Sequence, residues 1–180
     1  CRPSRESHTF QTIRQMGLEC IGAVDAAVQA EAVGLAMQSL AALGVATVLE
    51  ISHMGFVTGL LDALNIEPAA RGRLLEYLRG KNGHELRRAA EKFGLSAAAA
   101  DSLCGLLALH GTPAEVLPQA ETCCLCEAQR TALTELRQLL DTLPPQGCEL
   151  RLDLSMADEM DYYNGLVFTG YAAGIPCAVL

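Results

Sequence analysis

Met160-Asp161-Tyr162-Tyr163-Asn164-Gly165-Leu166-Val167-Phe168 sets two adjacent phenols between an acid and an Asn-Gly turn, then runs into strand-forming residues. The chain has 180 residues with only 4 Tyr and no Trp, so the pairing stands out. On an extended segment neighbouring side chains point to opposite faces. One phenol can line a pocket while the other anchors the strand from behind. Taken alone, the pattern also fits a simple hairpin about Asn164-Gly165 with two half-buried aromatics.

Strand signals extend on either side. After Pro144-Pro145-Gln146-Gly147 the period is two: Leu150, Leu152 and Leu154 alternate with Glu149, Arg151 and Asp153, which predicts a strand with one buried face. Residues 166–172 and 176–180 read as two further strands joined at Ala173-Gly174. Near the start, residues 10–22 suit one or two extended segments, with Ile13, Leu18 and Cys20 facing inward. Residues 29–43 repeat Val33, Ala36, Met37, Leu40 and Leu43 at helical spacing and stop at Gly44. Residues 45–52 then read as a short buried strand.

The stretch between is different. Apolar-periodic segments are closed by Pro68, Gly80, Gly83, Gly94, Gly111 and Pro144-Pro145, while Ser96 and Thr112-Pro113 have the chemistry of helix starts. Five or six short helices and no strand are expected there, without a fixed repeat. The outer parts therefore supply a largely antiparallel sheet, and the middle is inserted. The expected division is residues 1–53 and 146–180 for the core and 54–145 for a helical insertion. With no initiating Met and an apolar run at 175–180, the chain reads as a piece of something longer.

Composition narrows the function. Hydrophobic residues make up 51% and charged residues 19%, enough for a real core, and the net charge is −8. That is a poor footprint for a nucleic-acid binder, which needs clustered Lys and Arg. The one basic cluster, Arg71, Arg73, Arg79, Lys81, Arg87, Arg88 and Lys92, is interleaved with Glu76, Glu85 and Glu91 and suits a solvated helical face. No apolar run is long enough to span a membrane, and no signal peptide is visible. Cys20, Cys104 and Cys177 lie among apolar residues, as buried free thiols do, and a reducing cytoplasmic compartment is expected.

A polar row complements the tyrosines. On a strand, Gln15, Gly17 and Glu19 share one face. The amide can grip an amino-acid head group through donor and acceptor together, and the carboxylate can accept from a ring N–H. Together with Tyr162-Tyr163, this row resembles the catalytic core of class II histidyl-tRNA synthetases. It resembles more closely their paralogue, the regulatory subunit of ATP phosphoribosyltransferase. In that family a Gln-x-x-x-Glu strand lies beside a Tyr-Tyr strand across a histidine pocket. Ala30-Glu31-Ala32-Val33 is similar to the family's Asp-Ala-Glu-Val helix start, with Gln29 in place of Asp, and Val48-Leu49-Glu50-Ile51-Ser52-His53 to the next strand.

The resemblance implies an α+β fold: part of a class II aminoacyl-tRNA synthetase-like antiparallel sheet flanked by helices, with a helical insertion. It implies histidine-binding residues Gln15 (head group), Glu19 and Tyr163 (imidazole) and Tyr162 (support). The departures favour the regulatory branch. Synthetases carry Arg-Gly-x-Asp-Tyr-Tyr, whereas this chain reads Asp158-Glu159-Met160-Asp161-Tyr162-Tyr163, an anion at the cation's position. The family's ATP-holding Arg-rich loop is also unmatched, since Arg2, Arg5 and Arg14 fall off its spacing. Resemblance to the regulatory branch implies a non-catalytic subunit without cofactor, partnering a short-form catalytic ATP phosphoribosyltransferase. It would form a homodimer and hetero-oligomer in full length, take histidine as ligand, and engage neither tRNA nor membrane. The alternatives are a true synthetase core and a bare helical interaction module.

Other constellations carry less. Cys123 and Cys126 have metal-like spacing, but no second pair follows, and Cys124 and Cys148 do not complete a set; ordinary thiols are expected. His53, His84 and His110 lack ligand spacing and read as helix-end or surface residues. No phosphate-binding glycine loop is present, and Ser52-His53 and Ser7-His8 lack a third triad member.

Overall fold

The structure is a computed structural model and describes residues 2–3, 10–11, 16–143, 147–156 and 165–180. Strands β1 (Arg2–Pro3) and β2 (Phe10–Gln11) pair antiparallel. Helix α1 (Ala26–Ala41) starts where Asp25 accepts from the Val28 amide, and strand β3 (Thr47–His53) follows. Six α-helices come next: α2 (Met54–Ala63), α3 (Pro68–Arg79), α4 (Gly83–Lys92), α5 (Ala97–Gly105), α6 (Pro113–Cys123) and α7 (Glu127–Thr142). A two-residue strand β4 (His110–Gly111) precedes α6. Strands β5 (Glu149–Asp153) and β6 (Leu166–Ala172) complete an α+β fold.

The helix ends follow the expected chemistry. The Ser96 hydroxyl accepts from Ala99 N–H, and Pro113 occupies the first turn of α6. Glu115 accepts from both the amide and the hydroxyl of Thr112, and those bonds hold its carboxyl below the ordinary range. Pro68 and Gly83 open helices rather than closing them. Ion pairs Arg73–Glu76, Arg88–Glu85, Arg87–Asp101 and Arg71–Asp62 place these four arginines of the basic cluster on solvated helical faces, whereas Lys81 lies in the α3–α4 turn.

The four-stranded sheet runs β4-β5-β3-β6. β3 is antiparallel to β6 but parallel to β5, so the sheet is mixed rather than largely antiparallel. The reason is connectivity: a chain that leaves β3 through a long helical excursion can return to its start and run alongside it. β4 is the strand missed in the middle; it closes the edge of β5 by setting His110 opposite Asp153. Residues 176–180 form no strand, although Val179 N–H donates to the Gly170 carbonyl and Gly170 N–H to that of Leu180.

Leu49, Ile51, Leu152 and Leu154 are buried on the side that faces the helices. One hydrophobic cluster joins them to Val33, Met37 and Leu40 of α1, Phe56 and Leu60 of α2, and Leu74, Leu78, Leu86, Leu103, Leu133 and Leu136 of the other helices. The opposite face carries Val48, Glu50, Arg151 and Tyr171. Residues 16–25 form no strand, and Leu18 and Cys20 are exposed, contrary to expectation. No hydrogen-bonded neighbour among the described residues holds them against the core. Cys177 is also exposed, beyond the last strand, and Cys104 is half-buried.

Helix α1 crosses β6 at Gly170, where an added Cβ would lie 2.9 Å from both Leu40 methyls and from Leu180 Cβ. Gly170→Ala is therefore expected to destabilise the fold by about 1–3 kcal/mol through overpacking, measured by urea unfolding.

Candidate functional site

Because β3 and β5 run parallel, their carboxyl ends lie side by side, and β6 begins at the same end with Leu166 opposite His53. Met156 and Gly165, the residues that bracket 157–164, therefore both stand there. Tyr162 and Tyr163 belong to that bracketed segment and lie, with Asp158 and Gln15, outside the described residues. Of the four expected histidine ligands only Glu19 is described. It is exposed on an irregular stretch rather than on a strand.

What the structure gathers at this end is a set of polar side chains. Asp153 is 7% exposed, although its place in the alternating pattern predicts an outward carboxylate. Lys81 buries it: Nζ lies 2.7 and 2.5 Å from the two carboxylate oxygens and also donates to the Ser155 hydroxyl. Ser155 in turn donates its amide (3.1 Å) and hydroxyl (2.8 Å) to Asp153 Oδ1. Lys81 reaches the strand from the α3–α4 turn, where it adopts φ 52°, a left-handed conformation uncommon for a side-chain-bearing residue. The turn is fixed by Lys81 N–H to Leu78 O and Asn82 N–H to Tyr77 O.

Next to them on β3, the Ser52 hydroxyl is fully buried and has no hydrogen-bond partner among the described residues. Glu50 is half-buried on the open face; desolvation, then the nearby Asp153 carboxylate, raise its pKa against the pull of Lys81, Arg151 and His110. The Tyr171 phenol is likewise raised, by burial and then by Glu50 and Asp153, so it stays neutral.

His53 completes the group. Its Nδ1 accepts from Gly55 N–H at 3.1 Å and caps α2, while Nε2 lies 2.7 Å from Glu135 Oε2 on α7. The expectation of a helix-end histidine holds for its position, but the ring is buried rather than at the surface.

The sequence marks Gln15, Glu19, Tyr162 and Tyr163, and it misses Lys81, Asp153, Ser155 and the second bond of His53. Period-two alternation treats Asp153 as a solvent residue. Only the turn Gly80-Lys81-Asn82-Gly83 hints at a cation that could be delivered from elsewhere.

The cysteine cluster is separate. Cys124 Sγ contacts the Ala120 carbonyl, Cys126 Sγ the Gly59 carbonyl, and Cys123 is exposed. Among the described residues no three His, Cys, Asp or Glu converge as metal ligands, and no helix is long and apolar enough to cross a membrane.

A family model described as histidyl-tRNA synthetase matches residues 1–180. An ATP phosphoribosyltransferase regulatory subunit from Geobacter sulfurreducens is 34% identical over 177 residues, 97% of this chain and 40% of that protein. A histidine–tRNA ligase from Methanoregula boonei is 33% identical over 169 residues, 92% of this chain and 38% of that protein. Among solved structures, an ATP phosphoribosyltransferase regulatory subunit/histidyl-tRNA synthetase from Bacillus halodurans superposes with a TM-score of 0.76 at 28% identity, covering 87% of this chain and 42% of that one. The fold is thus similar to the class II synthetase-like core, and the chain spans about two fifths of the length of the curated relatives it matches.

Two substitutions probe the polar end. Lys81→Met strands a nearly buried carboxylate and is expected to cost about 1–3 kcal/mol, less than a fully enclosed pair because Lys81 is half-exposed; denaturant titration measures it. Glu50 binds its proton more tightly when folded, so its ionisation destabilises the fold as pH rises past the ordinary carboxylate range. Glu50→Gln is expected to raise the melting temperature at pH 7 by about 1–2 °C. That gain should vanish on acidification below the ordinary carboxylate pKa, followed by thermal denaturation across pH.

Proposed function

Since the chain belongs to the histidyl-tRNA synthetase family, we propose that it is part of a non-catalytic regulatory subunit of ATP phosphoribosyltransferase. The full-length subunit would act in the cytoplasm and support the first step of histidine biosynthesis. There a short-form catalytic subunit joins ATP to phosphoribosyl pyrophosphate. The division into a core of residues 1–53 and 146–180 with an inserted 54–145 belongs to the same reading.

The observation that carries it is Asp158. In the synthetase pattern Arg-Gly-x-Asp-Tyr-Tyr that position holds a cation, which offsets negative charge as the adenylate forms. An aspartate there sets anion against anion, a penalty of roughly several kcal/mol in a poorly screened site. The name of the relative from Geobacter sulfurreducens supports the same branch.

Histidine is the proposed ligand. Glu19 and Tyr163 face its imidazole, Gln15 holds the head group and Tyr162 supports the wall. Bound histidine regulates only by favouring one assembly state over another, through its differential affinity for the two. The assembly is a homodimer of the full-length subunit joined to the catalytic partner, with no role for tRNA.

A second reading, the core of a histidyl-tRNA synthetase, is favoured by the nearly equal identity to the Methanoregula boonei ligase. Histidine-dependent pyrophosphate exchange on the full-length protein separates the two. No exchange, with co-elution of a short-form phosphoribosyltransferase, is the expected result, and robust exchange would establish the second reading. In calorimetry, Glu19→Gln and Tyr163→Phe are each expected to weaken histidine binding about tenfold, the loss of one hydrogen bond. Unchanged affinity in both would remove them from the pocket.

A further inference from the structure

We infer that the cleft between α2, α5 and the α6–α7 corner binds a small neutral molecule with an apolar ring and one hydrogen-bond acceptor. It does not depend on the histidine pocket.

The cleft has a volume of about 320 Å³, and small-molecule sites span roughly 300–1,000 Å³. Phe56 and Leu60 of α2 back it, together with Leu106 and Leu109 from the stretch after α5. All four belong to the hydrophobic cluster, so the cleft opens against the apolar interior. Leu125, 52% exposed, forms part of its rim. Among the described residues no Lys or Arg lines it, so nothing there would compensate an anion.

Gly105 keeps the cleft open. It is the last residue of α5, with φ −59° and ψ −30°, helical angles that any residue adopts. A glycine in such a place weakens the helix relative to alanine. An added Cβ would meet nothing within 4 Å. Neither backbone conformation nor packing calls for glycine here; what the missing side chain provides is room.

Gln129 supplies the directional contact. It is 1% exposed and lines the cleft. Leu125 N–H donates to its Oε1 at 2.8 Å, which fixes the oxygen end of the amide, and the Cys126 thiol meets the same oxygen at 3.8 Å. Its NH2 end has no acceptor among the described residues. A ligand acceptor would complete the hydrogen bonding of this amide. The other polar side chains of the cleft are engaged. Ser102 donates to the Ala98 carbonyl at 3.0 Å, Thr122 donates to that of Gln119 at 2.7 Å, and Asp101 pairs with Arg87 at 2.8 Å. Recognition therefore falls to one donor beside an apolar wall.

Cys123 offers the readout, since it is exposed and lines the same cleft, whereas Cys20 and Cys177 are exposed without lining it. A molecule in the cleft shields the first thiol and spares the other two. The full-length protein is labelled with iodoacetamide and read by peptide mass, against rising acetophenone, which has ring and carbonyl, or toluene, which has the ring alone. Acetophenone is expected to slow labelling of Cys123 and not of Cys20 or Cys177, with a midpoint about fivefold below that of toluene, the value of one hydrogen bond. Gly105→Leu fills the cleft and should abolish the acetophenone effect with no loss of melting temperature. Gln129→Glu keeps an acceptor for Leu125 N–H but removes the NH2 donors, and should raise the acetophenone midpoint to that of toluene. Three results each overturn the inference: no protection of Cys123, protection that Gly105→Leu retains, or equal midpoints in the wild type. Protection by a short-form phosphoribosyltransferase but not by acetophenone also overturns it, because the cleft would then be a protein interface. If Gln129→Glu fails to fold, Gly105→Leu and the wild-type comparison decide.

Discussion

Strand β3 is held on both edges at once, parallel to β5 and antiparallel to β6, and this double pairing governs the rest of the molecule. A central strand has no spare backbone groups to offer water or a partner. Its parallel neighbour can be reached only by a connection that travels the length of the sheet. The helices α2 to α7 are that connection. They leave from the carboxyl end of β3 at His53 and return at Glu149 beside Val48. Burial of Leu49 and Ile51 beneath them is the reward for the detour, and each fully buried aliphatic side chain contributes about 1.5–3 kcal/mol.

The same geometry explains why polar groups collect at one end. Where β3 and β5 stop, polar side chains of the sheet are met by residues that reach in from the helices and their turns. Lys81 comes in from the α3–α4 turn to Asp153 and Ser155, and Glu135 comes in from α7 to His53. Both reaching residues belong to the helical middle, while both receivers belong to the sheet. The end of the sheet nearest Tyr162 and Tyr163 in sequence is thus built from two parts of the chain, and Ser52 remains there as a buried hydroxyl without a partner among the described residues.

Much of this is legible in the sequence, and the limits have physical causes. β3, α1 and the caps at Ser96 and Thr112 are local events: a β-branched run, a 3.6-residue period, a side chain that meets an amide three residues away. The parallel pairing of β3 with β5 is not local, because nothing in either strand records the direction of its neighbour. Asp153 reads as an outward carboxylate for a related reason: alternation reports on a face, and cannot report a lysine arriving from 72 residues away. Apolar neighbours alone point Leu18 and Cys20 inward, yet hydrophobicity buries a residue only where a surface exists to receive it. Of the candidate site, the tyrosines and their resemblance come from the sequence; the bonds of His53 come from the fold.

The hydrophobic cluster that, among the described residues, runs from Leu40 and Ile51 through Phe56 and Leu74 to Leu103 has one more consequence. Sheet and helical middle share an interior, so neither owns a core that it could keep after parting from the other. Heat is therefore expected to dissolve them in one cooperative step rather than in sequence. Evolution can lengthen or trim the loops of the middle, but a lineage that discarded it wholesale would have to rebuild the underside of its sheet.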